Sequence, residues 1–444
     1  MAVETVAAFC DALRAADVTD PVRESELELL AATHTDVRSF ARDLISRGLL
    51  TLWQVQMIFK NRGPELQLGS YILLELLAEG GMGLVYRARH RLMGRVVALK
   101  VIRCERLSKP EAVRRFQRET QLAAQISHPN IVMAFDANQV DDVHFIAMEF
   151  VDGIDLGKLV KQKGPLPLKE ACEYVRQAAL GLQHAHERGL VHRDIKPSNL
   201  LLTMAKGEAL RASLSGVLSG KGLDKPGSSH TFQGVIKILD LGLARLQEAG
   251  GDAANRITLE GLVVGTPDYL APEQARNSSA VDIRADLYGL GCTLYFLLTG
   301  QPPFPEGTPT EKIVQHAMTP VPGVELLRPD VPREVAAILR KLLAKKPEDR
   351  YQTPAELAVS LEPYSLETAS ATRRSGLHRP LPAATASNGD TESQVHVPII
   401  ASPRLEEIRR RRAAQGNARR WMWLGLVALA VIFCAAFIVL ALTR

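Results

Sequence analysis

The stretch His192–Leu202, "HRDIKPSNLLL", places a carboxylate, an ammonium and a carboxamide on one short loop before the chain turns apolar. Asp194 is followed by Lys196 and Asn199, and then by three leucines. One reading is a charged surface loop ahead of a β-strand. The other is that the three polar heads converge on one point. A further carboxylate, Asp240, follows an apolar run in "IKILDLGLAR". A carboxamide and a carboxylate, Asn199 and Asp240, suit a hard cation such as Mg²⁺. Asp194 is then left to accept a proton.

Working outward, "LAEGGMGLV" (77–85) lies between two strand-like runs. Gly80, Gly81 and Gly83 let the backbone approach a ligand and offer N–H groups to phosphates. Downstream comes "VVALKVI", where Ala98, Lys100 and Ile102 share one face of a strand. A small Ala beside an inward Lys leaves room for a flat ring and aims a cation at phosphate. A helix is expected after Pro110 in "AVRRFQRETQLAAQI", with Glu119 placed to pair with Lys100. On the far side, "GTPDYLAPE" ends at Glu273.

These motifs sit in a 444-residue chain that is 46% apolar, enough for two or three domains. The net charge of +5 resides in an Arg-rich stretch at 401–420 and in Arg444, so the body is close to neutral. That argues against a nucleic-acid-binding body. Five scattered cysteines, with no C-x-x-C pair, suit a reducing compartment and no zinc site. Glu4 and Asp11 argue against a signal peptide.

Residues 1–64 read as short amphipathic helices, a small module packing on its neighbour. From Tyr71 to about Pro363 a strand-rich stretch gives way to helices. "EACEYVRQAALGLQHAHERG" carries Ala171, Val175, Ala178, Leu182 and Ala185 on one helical face, and "LYGLGCTLYFLLTG" reads as a buried central helix. Residues 203–234, with six Gly and five Ser, read as a flexible insertion. Residues 364–420 read as a disordered basic linker. Residues 421–442 carry no charge and suit a transmembrane helix, with Trp421 and Trp423 at the interface. Arg409–Arg412, Arg419 and Arg420 precede that span, which places the preceding domain in the cytoplasm of a single-pass protein at the cytoplasmic membrane.

In their order and spacing these motifs resemble the protein-kinase signature set, and in particular the membrane-anchored, eukaryotic-like Ser/Thr protein kinases of bacteria. The resemblance implies an α+β, two-lobed protein kinase fold over residues 71–363. It implies ATP and Mg²⁺ as cofactors, Ser/Thr-bearing proteins as substrates, a lipid bilayer as the partner of the C-terminal helix, and no nucleic acid. Leu77, Ala78, Glu79, Gly80, Gly81, Met82, Gly83, Leu84 and Val85 would cover the phosphates. Lys100 would hold the α- and β-phosphates and pair with Glu119. Ala98, Met148, Glu149 and Val151 would frame the adenine, and Asp155 would contact ribose. Asp194 would be the base, Lys196 marks the Ser/Thr type together with Thr266, and Asn199 and Asp240 would bind the metal. Glu273 and Arg350 match a structural ion pair, and Asp286 matches the Asp that steadies the catalytic loop.

Four departures stand out. Ala78 replaces the first Gly of the phosphate loop. Leu241 replaces the usual Phe after the metal-binding Asp. Asn199 and Asp240 are 41 positions apart, much further than usual, so 203–234 is expected to loop out between two strands. Only Thr443 and Arg444 follow the span, so no external sensor domain is expected. The resemblance implies an activation segment ordered by phosphate, with Arg193 and Arg245 binding a phosphothreonine at Thr258 and Glu260 a fixed charge beside it; the alternative is that Thr258 is an exposed loop residue and Glu260 a solvated one. The competing readings are a membrane-tethered pseudokinase scaffold, which would lack one of these groups, and a small-molecule phosphotransferase, which would not need "GTPDYLAPE".

Overall fold

The computed structural model describes residues 3–18, 24–81, 83–104, 110–204, 234–241, 267–276 and 281–366. These fall in one compact unit, Met1–Thr372.

The chain opens with four short helices, α1 (Val6–Ala16), α2 (Glu24–Thr33), α3 (Val37–Ser46) and α4 (Leu52–Phe59). Each helix start that carries a side-chain cap uses the residue chemistry expected there. Thr5 accepts from Ala8 N–H, Asp36 from Ser39 N–H, and Thr51 with Gln54 forms a reciprocal capping box. The apolar faces meet in one core around Phe9, Leu30, Phe40, Leu44 and Ile58, and that core continues into Leu66 and Ile72.

A six-stranded antiparallel sheet follows, with β1 (Gln67–Leu68), β2 (Tyr71–Gly80), β3 (Gly83–His90), β4 (Val96–Ile102), β5 (Ala134–Val140) and β6 (Val143–Glu149). The spatial order is β1-β2-β3-β4-β6-β5. The period-two alternation of β4 explains its two cores. Val97 and Leu99 join Tyr71, Phe145 and Ala147 on one face, and Ile102 faces Phe116 and Ile146 on the other. Phe116 belongs to α5 (Pro110–Ala123), which covers that second face.

The remainder is mostly helical. A small antiparallel sheet of β7 (Ile154–Asp155), β8 (Leu200–Met204) and β9 (Gly234–Ile238) lies among α6 (Leu156–Lys163), α7 (Leu168–His186), α8 (Pro272–Arg276), α9 (Arg284–Thr299), α10 (Pro309–Met318), α11 (Arg333–Leu342) and α12 (Pro354–Leu361). The five small or apolar residues read onto one face of α7 are all fully buried. Helix α9 is buried nearly all round, as its composition demands.

Two boundaries differ from the sequence reading. Thr203 and Met204 pair with Val235 and Gly234, so both ends of the Gly/Ser-rich stretch belong to the β8–β9 ladder. Composition could not separate them from the segment between. Tyr364 packs on the large core, and Ser365 is buried with its hydroxyl donating to Leu361 O at 2.9 Å, so the folded unit runs past 363. Among the described residues no helix is long and apolar enough to cross a membrane. The span expected at 421–442, the linker from 367 onward, Met82, Arg245, Thr258, Glu260 and Thr266 all lie outside the described residues.

Candidate active site

The loop His192–Asn199 joins α7 to β8, and it is held from below by α9. Asp286, buried at the start of α9, accepts the backbone N–H of His192 at 2.9 Å and of Arg193 at 2.6 Å. His186 Nε2 lies 3.0 Å from the same carboxylate. Arg193 has φ +66°, a left-handed backbone that costs a non-glycine residue free energy. Its carbonyl accepts from Gln274 Nε2 at 2.8 Å, so the strained residue is fixed on both sides of its peptide. His192 Nδ1 accepts the N–H of Asp194 at 3.2 Å, which puts the ring proton on Nε2. That Nε2–H donates to Leu239 O at 2.6 Å. One imidazole thereby ties the loop to the residue before Asp240.

The three polar heads of the loop do converge. Lys196 Nζ lies 2.9 Å from Asp194 Oδ2. Asn199 Nδ2 donates to Asp194 O at 2.7 Å and to Asp194 Oδ2 at 3.0 Å. With its amino group committed to Asp194, Asn199 keeps its carboxamide oxygen as the atom able to ligate a cation.

Asp240 sits just beyond β9 with φ +57°. Its Oδ1 lies 2.7 Å from Lys100 Nζ on β4, a contact absent from the sequence reading. Burial pushes the Asp240 carboxyl up, but the charge and hydrogen bond of the Lys100 ammonium, with the charge of Lys196 added, outweigh it and hold the group below its usual range. It is therefore a carboxylate at neutral pH. Lys100 is buried, and Ile146 stands opposite it on β6. Glu119 is buried on α5, one turn beyond Phe116, the residue that packs α5 against Ile102 and Ile146. The fold thus brings Glu119, Lys100 and Asp240 to one side of the sheet.

Ala98 and Met148 face each other across the β4–β6 pair, and Glu149 ends β6. Lys237 on β9 bridges both oxygens of Glu149, at 3.1 and 2.9 Å, and so pins the segment through which the sheet passes to the helical part. Asp155 caps α6 by accepting Lys158 N–H at 2.8 Å, and it also pairs with Lys158 Nζ. A ribose contact would share that carboxylate with the helix cap. The loop expected to cover the phosphates is the open hairpin end of β2 and β3, where Gly80 pairs with Gly83. A Cβ on Gly83, at φ +150°, would come 1.8 Å from Val101 O, so this position requires glycine. Ala78 pairs with Val85 and is exposed.

Farther down, Arg350 is wholly buried and grips Glu273 with two bonds of 2.6 and 2.8 Å, while donating also to the carbonyls of Ala344, Arg284 and Lys345. The donor set of Asn199 and Asp240 is all oxygen and fits Mg²⁺. The residues that sequence reasoning missed are Gln274, Lys237 and His186. Each acts through a partner distant in the chain, and no local motif marks such a role.

The protein kinase domain profile matches residues 71–360. The serine/threonine-protein kinase PknB of Mycobacterium tuberculosis (strain ATCC 25618 / H37Rv) is 36% identical over 296 residues, which is 66% of this chain and 42% of that protein. The serine/threonine-protein kinase PrkC of Bacillus subtilis (strain 168) is 31% identical over 380 residues, 83% of this chain and 52% of that protein. The chain therefore spans only about half the length of these curated relatives. The crystal structure of the M. tuberculosis PknI kinase domain is 29% identical and covers 67% of this chain and 97% of its own, at a TM-score of 0.49. The sequence matches carry the assignment: the chain belongs to the protein kinase domain family.

Proposed function

We propose that the chain is a Ser/Thr protein kinase that transfers the γ-phosphoryl group of ATP to protein hydroxyls. The observation that carries the reading is the pair of polar clusters, Asp194–Lys196–Asn199 and Lys100–Asp240, tied together through His192. Phosphoryl transfer needs positioned charge more than covalent chemistry. Asp194 takes the proton of the attacking hydroxyl. Lys196, on the same carboxylate, neutralises charge on the group in flight. Lys100 holds the phosphates, with Glu119 behind it, and the loop 77–85 covers them. The adenine lies between Ala98 and the Glu149–Val151 segment, with Met148 at the back. Asn199 and Asp240 would hold Mg²⁺, which when bound neutralises the phosphate oxygens.

The finer reading is a membrane-tethered kinase, with 421–442 as its span, the domain on the cytoplasmic side and the activation segment autophosphorylated at Thr258. The basic run before the span supports that orientation.

The test is incubation of the full chain with ATP, Mg²⁺ and a generic protein substrate. Phosphoserine or phosphothreonine should form, and Asp194→Asn should lose about 10²-fold or more of turnover while still binding ATP. No turnover by the parent, or a phosphorylated metabolite in place of protein, overturns the reading. Protease added outside intact cells should spare the domain, and its digestion would reverse the orientation.

A further inference from the structure

The four N-terminal helices have no part in the chemistry above, yet they grip the hairpin that carries the phosphate loop. Strand β2 slips twice against β3, once between Leu73 and Glu75 and again between Leu76 and Ala78. Each slip inserts an extra residue, Leu74 and then Leu77. An extra residue bends its strand, increases the local twist and leaves backbone groups outside the ladder. At the first slip the start of α4 meets those groups. Thr51 Oγ donates to Leu74 O, and Gln54 Nε2 donates to Leu73 O at 2.9 Å.

The same two side chains build the capping box of α4. Thr51 Oγ accepts Gln54 N–H at 3.1 Å, and Gln54 Oε1 accepts Thr51 N–H at 2.9 Å. Each therefore has one bond toward the helix and one toward the strand. Between them, Trp53 packs on the ring of Tyr86, with centroids 5.7 Å apart, and Tyr86 stands opposite Leu76. Just past β3, Arg91 makes a two-pronged contact with Asp17 at the end of α1. The module thus holds both strands of the hairpin. Beyond the slip, residues 76–81 are exposed.

Apolar packing of Ile72 into the helical core would suffice to dock the module. It would not require two polar side chains aimed at the carbonyls of one bulge. We infer that Thr51, Trp53 and Gln54 are positioning residues for nucleotide binding: by fixing the bulge at Leu73–Leu74 they set the direction in which the loop 77–85 leaves the sheet. This rests on the kinase reading above. It gives residues 1–64 a role within the nucleotide site.

Two substitutions separate the strand bonds from the helix cap. Thr51→Asp keeps an oxygen that caps α4 but has no hydroxyl proton for Leu74. Gln54→Glu keeps the acceptor of the capping box but loses the N–H donor to Leu73. In the full chain, each should raise the KM for ATP about three- to tenfold, the size expected for one lost buried hydrogen bond. Direct Mg·ATP affinity should fall by the same factor. Turnover number and the KM for protein substrate should stay within about twofold, and Thr51→Ser should behave like the parent. Backbone amides of 75–86 should exchange hydrogen faster in both variants. An unchanged KM for ATP with a lowered melting temperature would make the contacts merely structural and overturn the inference. So would equal losses in turnover and in protein-substrate KM. If the parent neither binds nor uses ATP, the kinase reading falls. The amide exchange then still reads the buttress, and unchanged protection in the variants rejects it.

Discussion

The loop at 192–199, proposed to be catalytic, and the loop at 77–85, proposed to cover the phosphates, are both short connections, and they are built in opposite ways. The loop 192–199 is held at its start by partners from distant parts of the chain: Asp286 on the amides of His192 and Arg193, Gln274 on the Arg193 carbonyl, and the carbonyl of Leu239 on the His192 ring, with His186 on the Asp286 carboxylate. It even contains a left-handed arginine. The phosphate loop is exposed along 76–81, and among the described residues Arg103 pairs with its Glu79. Its order comes from its base, where β2 meets α4. A base and its metal ligands must be within tenths of an ångström of their working position before substrate arrives, so they are pre-organised. A cover over phosphates must let nucleotide in and out, and the buried contacts described for it lie where it leaves the sheet.

The comparison can be broken most severely at Asp286. Asp286→Ala strands one buried and one half-buried amide, each worth a factor of about ten when left unpaired, so turnover should drop about 10²-fold or more. Steady-state kinetics on protein whose circular dichroism matches the parent checks this. A loss under about threefold would mean that the catalytic loop holds itself.

A second test uses acid. Below the catalytic loop, His316 is buried with Nδ1 2.8 Å from the Tyr288 hydroxyl, and Lys345 donates to its carbonyl at 2.8 Å. Burial, then the charge of Lys345, pushes the imidazole down to about 4 from its usual 6.5. Between those values the unfolded chain takes up a proton that the folded chain refuses. The stabilisation is complete above 6.5 and drains away as pH falls toward 4, by about 3 kcal/mol in all. Thermal melts at pH 7 and pH 4.5 should therefore differ less in His316→Gln than in the parent. Equal shifts in both would remove His316 from the account.

The smallest effect belongs to the phosphate loop. The Arg103–Glu79 pair is exposed, and such pairs contribute little. Arg103→Ala should change the KM for ATP by no more than about twofold, and that change should vanish in high salt. A tenfold change would show that the loop tip is held from the side as well as from its base.

Much of the site was legible because its chemistry is local. Asp194, Lys196 and Asn199 lie within six positions, yet residue types and spacing left a charged surface loop equally open, and the resemblance to the kinase signature set decided for convergence. The alternation of β4 placed Ala98 and Lys100 on one face, and the 3.6-residue period of α7 placed its buried stripe. What sequence could not show was pairing across distance. Lys100 on Asp240 and Lys237 on Glu149 depend on how strands come together. Asp155 illustrates a different gap, since a residue expected to meet ribose also starts a helix. Thr51 and Gln54 announced a helix start, but nothing local revealed that a strand twenty residues on would slip and offer them its carbonyls.

The β8–β9 ladder has a further consequence. It closes at Met204 and Gly234, which stand side by side as partners in the ladder. Gln177 on α7 fastens one side of that gate, donating to Gly234 O and accepting Ile236 N–H. The entropy of closing a loop grows only with the logarithm of its length, by about 0.6 kcal/mol per doubling. With two strand ends clamped this way, the length of the segment they bracket bears only weakly on the stability of the kinase fold. The ladder makes this hairpin the place where a change of length is expected to leave Asn199 and Asp240 where they are.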